Sequence, residues 1–203
     1  MADETTKHNQ AAYDRIASLY ADRQAARDRS FADLRAAFAA RLPPVADIAD
    51  LGCGPGEDGA LFARAGHRVI GVDRSAGMLA YAARALPRAV VQADLRHLPV
   101  AGESVDGIWC CAALLHVPHD QTMAALDQMR RILRRHGHLA LVTALGRGAA
   151  LEPVPYAPGT QRWFFYRDAG QLTEQLGRAR LRVLAMTEEP ASRHWLKVLA
   201  RAT

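Results

Sequence analysis

Apolar residues recur along this chain with two different periods, and the switching between them predicts the architecture. Tyr13, Ile16, Ala17 and Tyr20 fall at i, i+3, i+4 and i+7, the spacing of one helix face. A second helix is expected to start at Ser30, a good N-cap followed by Asp33, and to show Phe31, Leu34 and Phe38 on one side. It should stop at Pro43-Pro44. Short apolar runs and helical stretches then alternate over 48–51, 61–65, 69–72, 75–86, 89–92, 105–111, 120–133 and 139–142. Strands separated by helices predict a parallel sheet covered on both faces. Residues 168–176, 181–186 and 195–200 supply one more helix and two more strands. No repeat, low-complexity linker or composition break marks a boundary. The chain therefore reads as a single domain: a helical cap (1–42), a core (43–143), a lid (144–167) and a closing helix with a strand pair (168–203).

In open α/β sheets ligands sit beyond the carboxyl ends of the strands, so the strand-end residues are the ones to read. Asp50-Leu51-Gly52-Cys53-Gly54-Pro55-Gly56 closes one apolar run with an acid and alternating glycines, and Val72-Asp73 closes the next with a second acid. A pyrophosphate site needs a different glycine spacing and a helix N-terminus free of negative charge. Here the third glycine comes one residue early and Glu57 and Asp58 follow it. Carboxylates in a first helical turn favour the helix dipole but repel an anion. A ligand with a positive charge and a ribose fits better.

Together with Val72 to Leu79, Gln92 to Pro99 and Val105 to His116, this stretch resembles, in order, the motifs of the class I S-adenosylmethionine-dependent methyltransferases, in the type 11 (UbiE-like) branch. The alternative is another doubly wound nucleotide-binding domain. The resemblance spans about residues 13–200. It implies an α/β fold: a doubly wound, Rossmann-like, mostly parallel seven-stranded sheet with helices on both faces and an antiparallel last strand. It implies S-adenosyl-L-methionine as cofactor and S-adenosyl-L-homocysteine as product. Asp50 and the turn Gly52, Gly54 and Gly56 would cradle the methionine part, and Asp73 would hold the ribose, with Arg74 beside it. Asp94 and Leu95 would meet the adenine between apolar walls from Met78 and Leu95, and Ala112 would offer a carbonyl to the amino group. Tyr20 would close over the cofactor and Arg23 would meet its carboxylate. Asp73 also reads as the cap of the helix over 75–86, Met78 as plain core and Asp106 as structural. Arg135-His136-Gly137 departs from the Pro-Gly-Gly turn of many relatives, far from the expected site.

Methyl transfer from a sulfonium is an in-line displacement, so the protein mainly positions the acceptor; a base helps only if the acceptor must lose a proton. His116 is the candidate catalytic base, with packing or hydrogen bonding as its alternative role. No Cys/His spacing suggests a metal. The long segment 144–167, expected to hold little regular structure, is rich in aromatics and arginines. Tyr13, His116, Tyr156, Trp163 and Phe165 are the expected substrate residues, although Trp163 to Tyr166 also reads as packing of the lid onto the sheet. Three functions follow. The first is methylation of a small organic molecule. The second is methylation of RNA, resembling the enzymes that esterify a modified wobble uridine, with Arg147, Arg162 and Arg167 beside stacking aromatics. The third is a non-catalytic cofactor-binding partner domain.

Composition changes little. With 203 residues, 50% apolar and 23% charged, the chain suits one well-cored globular domain. No apolar run approaches the roughly 20 residues that span a bilayer, the first ten residues lack a signal-peptide core, and three cysteines make no disulfide framework. A reduced cytoplasm and no membrane partner are expected. The net charge of +5 comes from scattered arginines rather than a block. The acceptor atom and the oligomeric state leave no mark on the sequence.

Overall fold

In a computed structural model of the chain, residues 2–24, 31–86, 90–191 and 193–203 are described. Seven strands form one sheet: β1 (Asp47–Leu51), β2 (Arg68–Asp73), β3 (Val90–Gln92), β4 (Val105–Cys111), β5 (Leu133–Ala144), β8 (Leu181–Glu189) and β9 (Trp195–Ala202). Their order is β3-β2-β1-β4-β5-β9-β8. All pairings from β3 to β5 are parallel, and β9 runs antiparallel to both β5 and β8. The chain winds outward from β1 to β3, then returns to place β4 on the other side of β1. That reversal opens a crevice at the carboxyl ends of β1 and β4, where ligands of such sheets bind.

Alternation along β4 explains the two covered faces. Ile108 and Cys110 point into one core cluster and Trp109 into the other. The first face packs α5 (Thr122–Ile132) and α6 (Ala169–Arg178) through Leu126, Met129, Leu172 and Leu176, all buried. The second packs α2 (Ala32–Ala39) and α3 (Glu57–Arg64) through Phe38 and Phe62 around Trp109. Gly107 permits this, because a Cβ there would lie 2.6 Å from the Phe38 ring. A partly buried polar tie holds the same face: Asp58 accepts from Trp109 Nε1 at 2.9 Å and from Arg35 at 2.6 Å. The Asp58 charge, expected to bear on the ligand, is thus turned toward α2.

Four expectations need correcting. Helix α2 begins at Ala32 after Phe31, which stands in the left-handed region at φ 60°, with no side-chain cap; the expected cap Ser30 lies outside the described residues, as does Ala89 of the third strand. The helix also ends at Ala39, before Pro43, because a residue preceding proline resists helical geometry and the chain turns early. The Arg135-His136-Gly137 turn does not separate helix from strand. It is absorbed inside β5 as an irregularity, with His136 at φ 66° and the β4 register slipping between Val105↔Leu133 and Gly107↔His138. The lid is regular: β6 (Ala149–Pro153) and β7 (Gln161–Phe165) form an antiparallel hairpin, since the aromatic run Trp163–Phe165 favours extended backbone.

Helix α1 (Ala2–Gln24) lies across the carboxyl edge of the sheet and extends about three turns upstream of Tyr13. Asp14 fastens it to α4 (Ala76–Ala85): its Oδ1 accepts from Ser75 Oγ at 2.6 Å and from the N–H of Gly77 at 2.9 Å. A carboxylate at a helix N-terminus is also favoured by the dipole. Among the described residues no helix is long and apolar enough to cross a membrane.

Candidate active site

The turn after β1 is built by two constraints. Gly52 stands at φ 71°, and a Cβ there would be 2.2 Å from that of Ala113, so only glycine lets this loop pass the end of β4. The N–H groups of Gly52 and Cys53 both donate to Val72 O, at 2.7 and 3.0 Å, folding the turn onto the end of β2. Asp73 completes the junction. Its Oδ2 accepts from Gly54 N at 2.9 Å and its Oδ1 from Ser75 N at 2.8 Å. The helix cap itself is Ser75, whose Oγ accepts from Met78 N at 3.0 Å, leaving Asp73 facing the crevice. Burial pushes the Asp73 carboxyl up, against the pull of those N–H donors. Asp50 is buried beneath the turn, bound to Gly59 N at 3.0 Å. Burial, with Asp58 and Asp73 nearby, raises its carboxyl well above the usual range.

At the far end of β3, Asp94 holds two guanidiniums. Arg96 Nε donates to its Oδ1 at 2.7 Å, and Arg74 Nη1 donates to its Oδ2. Burial opposes ionisation of Asp94, yet these bonds keep it below the ordinary carboxylate range. Arg74 Nε in turn donates to Gln10 Oε1 of α1 at 3.1 Å.

After β4 the chain makes a tight 3-10 turn, Leu114–His116, which aims His116 upward. Its Nδ1 lies 2.8 Å from Trp163 O and its Nε2 lies 2.7 Å from Tyr13 Oη. One tautomer satisfies both: Nδ1–H donates to the carbonyl and Nε2 accepts from the phenol. Asn9 bridges the same two elements, donating to Trp163 O at 3.0 Å and accepting from Trp163 N at 2.7 Å. Arg162 Nη1 donates to Tyr13 Oη at 3.0 Å. Burial first, with Arg162 and Arg193 nearby, pulls the imidazole down to about 3, so His116 is neutral at physiological pH. A histidine whose folded pKa is depressed contributes stability that is complete above about pH 6.5 and lost as the pH falls, by at most about 1.4 kcal/mol per unit. His116→Gln therefore flattens the pH dependence of stability between about pH 6.5 and 4. Urea midpoints at both pH values check this, and parallel curves for the two proteins would contradict the buried neutral imidazole.

These parts line a crevice between the strand ends and α1. Of the residues expected from sequence, the cavity wall includes Gly52, Gly54, Asp73, Arg74, Met78, Asp94, Leu95 and Ala112 from the core. Tyr13, Tyr20 and His116 join them from above. Six lie elsewhere. Asp50 and Gly56 support the turn from behind, and Arg23 stacks on the Tyr156 ring at 4.7 Å. Trp163 stacks on Phe165 with centroids 6.3 Å apart, outside the wall. Sequence reasoning missed Thr6, Asn9 and Gln10, which line the cavity from α1. Their signal was the helical period itself: Thr6, Asn9, Gln10 and Tyr13 share a face at i, i+3, i+4 and i+7.

The sheet order, with one antiparallel strand beyond β5, is that of the Rossmann-like methyltransferase fold. Residues 49–141, a little under half of the chain, match the methyltransferase domain family. It is 38% identical over 127 residues to a trans-aconitate 2-methyltransferase of Enterobacter sp. strain 638, covering 61% of this chain and 48% of that one. It is 36% identical over 136 residues to a malonyl-[acyl-carrier protein] O-methyltransferase of Enterobacter lignolyticus, covering 66% and 52%. The chain thus spans about half the length of the curated relatives it matches. Among solved structures, the 1,6-didemethyltoxoflavin-N1-methyltransferase of Burkholderia thailandensis, bound to its substrate and S-adenosylhomocysteine, superposes with a TM-score of 0.74. Identity there is 25%, over 95% of this chain and 87% of the other.

Proposed function

We propose that this protein transfers a methyl group from S-adenosylmethionine to a small organic molecule. The observation that carries this reading is the cavity running from the glycine turn, past Asp73 and Asp94, to Tyr13 and His116 under α1. Its residues fit the cofactor. Each oxygen of Asp73 already accepts one N–H and keeps a lone pair for a ribose hydroxyl. Met78, Leu95 and Ala112 all line the cavity, so the first two would give the base apolar walls and the carbonyl of Ala112 would hold the ammonium group. When bound, the cofactor supplies an electrophilic methyl on a positively charged sulfur. The chain's own residues orient the two reactants and keep water out, with α1 over the cavity and the lid hairpin bracing α1 through Asn9 and Trp163. The curated relatives act, by name, on trans-aconitate and on malonyl-[acyl-carrier protein], and the similar solved enzyme binds 1,6-didemethyltoxoflavin. All three support an acceptor that is not a nucleic acid.

The lid supports the same choice. Arg167 is buried and Arg162 turns to Tyr13, while Phe164 and Phe165 pack inward, so the aromatics and arginines do not present a base-stacking face. The test is label transfer from methyl-labelled S-adenosylmethionine into a cell extract, split afterwards into RNA and small-molecule fractions. Label in the small-molecule fraction is the expected result. Label in nuclease-sensitive material would revive the RNA reading, and no label at all would leave a cofactor-binding partner domain.

A further inference from the structure

Asp94 is a saturated acceptor. Its Oδ1 takes the backbone N–H of Arg96 at 2.9 Å and Arg96 Nε at 2.7 Å. Its Oδ2 takes Arg96 Nη2 at 2.5 Å and Arg74 Nη1. An ionised carboxylate offers about four lone-pair sites, and all are spent on these donors. Yet Asp94, Leu95, Arg74 and Arg96 all line the cavity at the end of β3, where the family resemblance puts the purine. The 6-amino group of an adenine is a donor, and Asp94 cannot accept from it while both guanidiniums stay.

The two arginines are not held equally. Arg96 grips both carboxylate oxygens, gives Nη1 to Gln121 Oε1, and has a side chain only 13% exposed. Arg74 gives Asp94 a single N–H, and its side chain is 31% exposed at the rim. Its other side-chain tie is neutral, from Nε to Gln10 Oε1 of α1 at 3.1 Å. A bidentate guanidinium–carboxylate pair is harder to break than a single bond, so a competing donor displaces Arg74 first. Arg96 then still pairs Asp94, and no buried carboxylate is stranded without a counter-ion.

We infer that Arg74 competes with the cofactor's adenine for Asp94. Its guanidinium holds the place on the carboxylate that the purine 6-amino group needs, and binding exchanges one donor for the other. This rests on the methyltransferase reading above, with the purine at Asp94. No covalent bond changes. Arg74 turns outward to water, which its side chain already reaches. Because Arg74 Nε also donates to Gln10, the exchange is felt by α1, which Asp14 continues to hold at Ser75 and Gly77.

Removing this cavity-lining arginine is therefore expected to improve cofactor binding. Calorimetry with S-adenosylhomocysteine and with its 6-deamino analogue, in which hydrogen replaces the purine amino group, separates the contributions. Arg74→Met keeps an apolar stem and removes the donors. It is expected to tighten S-adenosylhomocysteine about tenfold and to leave the deamino analogue unchanged. Arg74→Lys retains a cationic donor and is expected to stay with the parent. S-adenosylhomocysteine bound no more tightly by the Met variant overturns the competition and leaves the cofactor assignment standing. A gain shared equally by the deamino analogue, or a Lys variant as tight as the Met variant, overturns it in the same way. No binding of either ligand to parent or variants, all folded by circular dichroism, overturns the methyltransferase reading and this inference with it.

Discussion

Asp73→Ala lowers affinity for S-adenosylmethionine on the order of a hundredfold or more, measured by calorimetry on the folded protein. Two contributions act together. The carboxylate is proposed to accept from both ribose hydroxyls, and hydrogen bonds to a charged group are worth about 1.5–3 kcal/mol each. It also holds Gly54 N and Ser75 N, so its loss frees the turn and the start of α4 together. Losing about 3 kcal/mol corresponds to roughly a hundredfold in Kd. Asp73→Asn keeps one acceptor oxygen and is expected to fall between the variant and the parent. Unaltered affinity in the alanine variant would refute the ribose assignment.

The second large effect is on stability. Arg167 is 2% exposed and has no carboxylate partner among the described residues. Its Nη2 donates to Leu114 O at 2.9 Å and to Val117 O at 2.5 Å, and its Nη1 lies 2.7 Å from His119 Nδ1. Burial pulls the guanidinium down to about 10, still charged at neutral pH. These bonds hold the 3-10 turn that presents His116. Arg167→Ala strands two buried carbonyls and removes the packing of the stem, at a cost of about 3 kcal/mol. For a chain of this size that is a fall in Tm of about 10 °C. Arg167→Lys is expected to recover little, because an ammonium cannot span the same fork. A shift under about 2 °C for the alanine variant would mean the turn holds without the clamp.

The sheet was legible because its strands carry their burial in plain sight. Ile48 to Leu51 and Val105 to Cys111 are apolar runs between glycine or proline punctuation, and their end residues mark the crevice. The upstream turns of α1 were harder to read. Thr6, Asn9 and Gln10 are polar, and a helix face made of amides and hydroxyls has no hydrophobic period to detect. The lid aromatics failed for a related reason. Trp163 enters the site through its backbone carbonyl rather than its ring, and backbone contacts are invisible to side-chain reasoning. Arg167 reads as a surface charge in any sequence, since its burial depends on carbonyls fifty residues away that only the fold brings near. His116 was found as a residue but not as a neutral one, because its environment is assembled from α1, β7 and the turn after β4.

One feature of the sheet bears on how the molecule is made. β9 lies between β5 and β8, so residues 195–202 complete the interior of the sheet and not its border. On a ribosome, everything up to β8 emerges before the strand that joins it to β5. Until then β5 presents an unpaired edge flanked by Leu139, Leu141 and Val142, the kind of surface that recruits a second chain. The sheet is therefore closed only once β9 has been made, and a nascent chain stalled near residue 190 is expected to expose that edge to pairing with a second chain.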